Sequence, residues 1–493
     1  MKKVVIIGGG IAGLSAGIYA RRCGFEATIL ESNAIAGGTC TSWKRKGYLF
    51  EGGMHWLTGS SQKEALHKMW RYVGALDDDV TVHYHEPFMQ YEHQDTPIKF
   101  YRNVDTTEKH LCALSPQDSK EIRKLCNNIR KVRNLSMPIS DLRGVKGAKQ
   151  THPPIAMLFS VISALMLIRS FSKISREAYV NRFSHEGIRN MIRACTDEKS
   201  GVFPIFFTMG TLARGDGGFP EGGSLPFAGR MASKFIALGG KILYNTRAEQ
   251  VVIENGNAKG VVAGGGHLSA DAVIITVDTM AMDYLFDAPL KADWLDEMRA
   301  VTEPTMTTFV ALGVDADLKK YSRAGVFKLD KPIALATQTY EYLSINNYAH
   351  DPAYSPEGKT AMAIQLGGDT YDFWKTAKEE GCYDEEKKKL AAAVIEALAV
   401  VMPETHGCVE VCDIATPLTY ERYCGNWRGS WMTEMTPSMN MKNYPAVIKG
   451  LSGVYFAGQR MMPPGGLPVA LMTGRTAVQY LCRDTKTVFI AED

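Results

Sequence analysis

The chain has few of the features that announce a class at once. Its ten cysteines (Cys23, Cys40, Cys112, Cys126, Cys195, Cys382, Cys408, Cys412, Cys424 and Cys482) are scattered, and no pair has CxxC spacing. Neither a disulfide framework nor a zinc ribbon is expected, and the thiols read as reduced, in a cytoplasmic protein. The net charge is only +3 over 493 residues, too little to imply a nucleic-acid partner. Met1-Lys2-Lys3 runs directly into a glycine loop, with no apolar stretch and cleavage site of secretory kind. A largely apolar stretch of fourteen residues, Ile155 to Ile168, lies between Pro154 and Arg169 and is too short to span a bilayer. What is plentiful is apolar mass. A chain this long that is 45% hydrophobic can build two interleaved domains around a large core.

The opening, MKKVVIIGGGIAGLSAGIYARRCGFEATILE, reads as strand, glycine turn, helix, strand and acidic residue. The continuous apolar run Val4 to Ile7 predicts a buried parallel strand. Gly8, Gly10 and Gly13 then follow in GxGxxG spacing. The first permits the tight turn, the second lets backbone approach a diphosphate, and the third lets the helix pack on the strand. A diphosphate is favoured at that helix start by free N–H groups and by the helix dipole. Ala27 to Leu30 predicts a second strand, and Glu31 beyond it is placed to accept from adenosine ribose hydroxyls. Together these residues predict a dinucleotide site.

Downstream, the pair Gly37–Gly38 and the run GYLFEGG from Gly47 to Gly53 resemble the flavin-binding N-terminus of the amine oxidase and phytoene desaturase superfamily. The C-terminal stretch LSGVYFAGQRMMPPGGLPVALMTGRTAVQYL is similar to that superfamily's second flavin motif. It predicts a strand from Val454 to Ala457 and a helix beginning near Pro468, after the turn at Pro464 to Gly466. The resemblance implies non-covalent FAD. At the N-terminus it assigns to the cofactor Gly8, Gly10, Ile11, Ala12, Gly13, Glu31, Ser32, Gly37, Gly38 and Thr39. In the middle it assigns Val251, through its backbone to adenine, with Thr276 and Val277 close by. At the C-terminus it assigns Gly458, Gln459, Gly466, Leu467, Pro468 and Val469.

The implied fold class is α/β: a Rossmann-type FAD-binding domain with a parallel sheet, interleaved with an α+β substrate domain. Residues 1–85, 212–288 and 418–493 would form the first, and 86–211 with 289–417 the second. The middle pattern predicts a helix from about Leu225 to Leu238, a turn at Asn255–Gly256, and the return of Ala272 to Val277 to the sheet. A strand from Thr305 to Val314 and a helix from about Glu385 to Met402 follow. No second dinucleotide fingerprint is evident, so NAD(P)H or a quinone would exchange electrons with the flavin through the substrate cavity. The sequence leaves the oligomeric state open.

Thr39 stands where amine oxidases and bacterial phytoene desaturases usually carry arginine. That departure, GYLFEGGMHWLTG and the pair Gly458–Gln459 are more similar to the retinol saturase and carotenoid isomerase branch. The branch implies desaturation, saturation or isomerisation of an apolar polyene or isoprenoid lipid by hydride exchange at flavin N5. The same resemblance places His55 beside the isoalloxazine, in substrate contact or proton delivery, as the candidate catalytic residue. Two rivals remain: a flavin amine oxidase, and a flavin-containing lipid-binding protein without turnover.

His83 and His85 alternate in an apparent strand without a partner at metal spacing, so no metal is expected. Cys424, in ERYCGNWRGSW, lacks the surroundings of the covalent flavin cysteine of monoamine oxidases. Trp374, Trp427 and Trp431 are candidates for an apolar cavity wall. Between Ser119 and Arg182 thirteen Lys or Arg, among them Lys173, face three acids, a local +10. The run Ile155 to Ile168 inside this segment admits two readings, a buried helix of the substrate domain or an apolar face resting peripherally on an anionic membrane.

Overall fold

Val4 to Ile7 are apolar on both sides of the strand, so both sides need cover, and the fold provides a different layer for each. In the computed structural model, Lys3–Ile7 is the central strand of a five-stranded parallel sheet. The order is Val454–Phe456, Ala272–Ile275, Lys3–Ile7, Glu26–Leu30, Lys241–Leu243. Val4 and Ile6 pack under the helices Ile11–Arg22, Ser224–Ala237 and Leu467–Thr485, whereas Val5 and Ile7 face a three-stranded antiparallel sheet. That second layer comprises Ala248–Glu254, Asn257–Ala263 and Gly266–Ser269. The structure describes every residue except 94–95, 138, 150–154, 172–173, 197–201, 435–441 and 493. Pro154 and Lys173, named above, lie outside the described residues.

The strands of the parallel sheet come from three distant stretches of chain, because each parallel neighbour needs a crossover. Two insertions between them build the second sheet, seven-stranded and mixed. Its order is Val409–Ala415, Thr307–Val314, Thr360–Gly367, Gln338–Asn347, Ala324–Leu335, Met89–Glu92, Ile98–Phe100. A separate helical cluster, with Ser119–Val132, Ile155–Phe171 and Phe203–Ala213 among its members, packs around Phe183, Phe206 and Met191.

The expected elements differ from the observed ones mainly at their ends. The run Ala272 to Val277 leaves the sheet after Ile275, since the Thr276 hydroxyl bonds back to the carbonyls of Ile7 and Gly8, at 2.9 and 3.1 Å. The expected strand from Thr305 divides, Pro304–Thr305 pairing with Met432–Thr433 and Thr307–Val314 entering the seven-stranded sheet. The predicted helices over 225–238 and 385–402 are Ser224–Ala237 and Tyr383–Val401. No helix among the described residues is long and apolar enough to cross a membrane.

Candidate functional site: a cavity between two uncapped helix starts

At the carboxyl ends of the parallel strands lies a cavity of about 1610 Å³. Ligands of open α/β sheets bind in this position. A single drug-sized ligand occupies a pocket of roughly 300–1,000 Å³, so the space exceeds what one such molecule needs. Two helices begin in its wall, Ile11–Arg22 after Gly10 and Leu467–Thr485 after Gly466, and neither start has a side-chain cap. Their N–H groups and dipoles therefore favour an anion on the cavity side.

The glycines here are dictated by contact as much as by φ. Gly8 has φ +102°, and a Cβ on Gly13 would stand 1.9 Å from the Gly8 carbonyl oxygen, so only glycine lets the helix pass the strand. A Cβ on Gly474 would come within 2.3 Å of the Ala12 carbonyl. That near approach, with the Ser15 hydroxyl donating to the Leu471 carbonyl at 2.7 Å, clamps the N-terminal and C-terminal helices together. Gly9 donates its N–H to Glu31 Oε2 at 2.9 Å, and the other carboxylate oxygen accepts from the backbone and side chain of Asn33, both at 2.8 Å. Glu31 is thus fixed, buried, at the end of its strand with its edge in the cavity wall.

Most residues assigned from the sequence surround this one space. Gly8, Gly10, Ile11, Ala12, Glu31 and Ser32 line it, as do Gly37, Gly38 and Thr39. Thr276 and Val277 line it from the neighbouring strand end, and Gly458, Gln459, Gly466, Leu467, Pro468 and Val469 from the C-terminus. Gly13 stands behind the wall as a packing residue. Val251 is buried in the antiparallel layer opposite Val261, and the wall does not include it.

His55 also lines the cavity. The Gln365 amide donates to His55 Nε2 at 3.0 Å, and the Trp431 ring stands edge-on to the imidazole with centroids 5.3 Å apart. Burial, with some repulsion from Arg323, lowers the His55 pKa to about 4. The ring is neutral at neutral pH, so it offers a polarised N–H rather than an imidazolium proton.

The other sequence candidates separate clearly. Of the three tryptophans only Trp431 reaches the cavity: Trp374 is fully buried against Thr308, and Trp427 lies beneath the Arg460 guanidinium. The rings of His83 and His85 stack at 6.0 Å, and among the described residues no three metal-ligating side chains converge. Cys424 does line the cavity, at the Glu31 end. Burial first, and then the Glu31 charge, push its thiol up to about 12, so it is not a thiolate.

Three features escaped the sequence reading. Gly9, between two motif glycines, holds the acidic residue. Gln365 orients His55 across 310 residues. Arg460 and Asp278, 2% and 4% exposed, form a buried ion pair at 2.7 Å in the cavity wall. Arg460 also reaches Ser430, and the Trp427 backbone N–H donates to Asp278, so one pair joins the C-terminal flavin motif and the turn after Ala272–Ile275 to the loop carrying Trp431. Only the GxGxxG register hinted at Gly9. The other two partnerships have no local signature.

Comparison with known proteins decides which anion the cradle serves. The family model described as flavin containing amine oxidoreductase matches residues 11–482. The chain belongs to this family. As a family member it is an FAD-dependent oxidoreductase, and the uncapped helix starts, the glycine cradle and the carboxylate of Glu31 fit a flavin dinucleotide. A prolycopene isomerase of Daucus carota is 22% identical over 97% of this chain and 80% of its own length. A 4,4'-diapophytoene desaturase of a Methylomonas species is 22% identical over 99% of this chain and 96% of its own. Among solved structures, an oxidoreductase of Methanosarcina mazei shares the fold at TM-score 0.62 and 17% identity, covering 97% of this chain and all of that one. A redesigned putrescine oxidase superposes at TM-score 0.63 and 16% identity, over 98% of this chain and 99% of its own.

Proposed function

We propose that this flavoenzyme exchanges hydride with a carbon–carbon bond of an apolar polyene or isoprenoid lipid. The observation that carries the reading is the wall of the cavity away from the nucleotide cradle, where Leu135, Met137, Leu158, Val161 and Phe207 face the space. A long apolar molecule gains burial there without leaving polar groups unpaired. The relatives named as prolycopene isomerase and diapophytoene desaturase support the same substrate class.

Bound FAD supplies the hydride chemistry at N5. The residues of the chain would bind and orient it: the two uncapped helix starts would hold the diphosphate and the pyrimidine edge, and Glu31 the ribose. His55, fixed by Gln365, would offer its second ring nitrogen to the substrate as a neutral N–H donor. A nicotinamide or a quinone reaching the same cavity would carry the electrons.

The test is anaerobic photoreduction of the purified protein followed by addition of polyenes. Reoxidation of the flavin by an unsaturated lipid, and a copurifying apolar compound identified by mass spectrometry, are the expected results. Hydrogen peroxide released on turnover with small amines, with no response to polyenes, would replace this reading by an amine oxidase.

A further inference from the structure

The helix Ile155–Phe171 is built inside out. Ile155, Leu158, Phe159, Ile162, Leu165 and Met166 are 48–73% exposed, whereas Ser160 is buried together with Ala164 and Leu167. The exposed positions recur at intervals of three and four, which places them on one helical face. Six large apolar side chains contiguous on a surface signal a partner, because scattered single residues are the ordinary case.

Two further observations identify that partner. Leu158 and Val161 of this helix line the cavity, together with Pro204 and Phe207 of the neighbouring helix Phe203–Ala213, so the apolar face borders the substrate space itself. The segment of chain that carries the helix is also cationic. The three acids of the segment are engaged, Glu121 with Lys124, Asp141 with Arg475 and Glu177 with Arg176 and Arg193. Among the described residues, Lys131, Arg133, Arg143 and Lys146 are exposed with no carboxylate within ion-pair distance. Lys131 and Arg133 stand at the end of the helix Ser119–Val132, which packs against the apolar one.

We infer that this face docks on an anionic lipid bilayer, with the helix Ile155–Phe171 lying in the interface and the cavity opening at the membrane. An apolar face with exposed cations at the end of the helix packed against it fits a surface that is apolar below and negative above. A protein partner of the same shape would need matching acids at several separate points. The helix does not cross, being 17 residues long and too short to span the apolar layer, so it lies along the surface. Passage of substrate from leaflet to cavity rests on the polyene reading; the docking does not.

The experiment is cosedimentation of the purified flavoprotein with vesicles of phosphatidylcholine alone and of phosphatidylcholine mixed with phosphatidylglycerol. Binding to the mixed vesicles is expected to exceed binding to the neutral ones about tenfold and to weaken with salt. The quadruple variant Ile155→Ser, Phe159→Ser, Ile162→Ser, Met166→Ser should lose it. The double variant Lys131→Glu, Arg133→Glu, which leaves the apolar face intact, should lose only the preference for anionic vesicles. Protein that stays in the supernatant with both vesicles, or a quadruple variant that sediments like wild type, overturns the inference. So does a vesicle-blind wild type whose dimer the quadruple variant dissolves, which would give the face to a second copy. None of these readouts uses a polyene, so failure of the proposed substrate would leave the docking result standing.

Discussion

Gln365 donates its amide N–H to His55 Nε2 at 3.0 Å and thereby leaves the proton of the imidazole on Nδ1. Leucine at 365 would free both tautomers. If His55 acts as proposed, Gln365→Leu lowers kcat about tenfold or more with little change in KM and with FAD retained. Gln365→Glu, whose carboxylate accepts from Nε2–H, should invert the tautomer and raise the ring pKa. Nitrogen NMR of labelled histidine reads this directly, and unchanged tautomer populations in both variants would remove Gln365 from any positioning role.

Gly13 is a steric requirement. A methyl group there would stand 1.9 Å from a backbone carbonyl that cannot yield without moving the central strand. Gly13→Ala is expected to cost about 3 kcal/mol or more and to give colourless protein. Chemical denaturation together with flavin content decides it, and a yellow variant of native stability contradicts the packing argument.

Cys424 stands at the Glu31 end of the cavity, protonated. All the flavin should therefore appear in the supernatant after acid precipitation of the wild-type protein, and Cys424→Ser should change nothing. Yellow colour that remains in the pellet of wild type but not of the variant would show a covalent link.

The Arg460–Asp278 pair is almost fully removed from water. Arg460→Leu leaves the aspartate charge buried alone, a loss of about 3–5 kcal/mol. Adding Asp278→Asn should recover part of this, because a neutral amide replaces the stranded charge. Denaturation midpoints of the single and double variants measure the recovery. A double variant no more stable than the single one would mean that the other contacts of Arg460, to Ser430 and Trp427, carry the effect.

His55 and His85 share a pH signature. Burial, aided by Arg323, lowers each pKa from an ordinary value of 6.5 to about 4. Between those values the unfolded chain binds protons that the native chain refuses, so stability falls as the pH drops from 6.5 towards 4. Melting temperatures across this window should fall for wild type and fall less steeply for His55→Gln and His85→Gln. Parallel profiles for all three would show that other groups control acid unfolding.

The nucleotide cradle was legible because its requirements are local. Gly8, Gly10 and Gly13 answer to sterics within one turn, and the continuous apolar run of Val4 to Ile7 specifies a strand covered on both sides. Val251 shows where such legibility stops: whether its strand borders the cavity is set by how a whole layer docks. Trp374, Trp427 and Trp431 are chemically equivalent in the sequence, and the pairing of Met432–Thr433 with Pro304–Thr305 places Trp431, alone of the three, in the cavity wall.

From its residues alone the chain determined an α/β dinucleotide fold and a flavin motif divided between its two ends, since glycine contacts and strand periodicity act over a few residues and need no distant partner. Only the tertiary structure decided that Gln365 meets His55, that Arg460 meets Asp278, and that Ile155–Phe171 turns its largest apolar side chains outward. An apolar helix has the same composition whether buried or exposed, and a polar pair separated by hundreds of residues has no local pattern. What distinguishes the outcomes is which surfaces the remaining elements leave uncovered, a property of the packed whole.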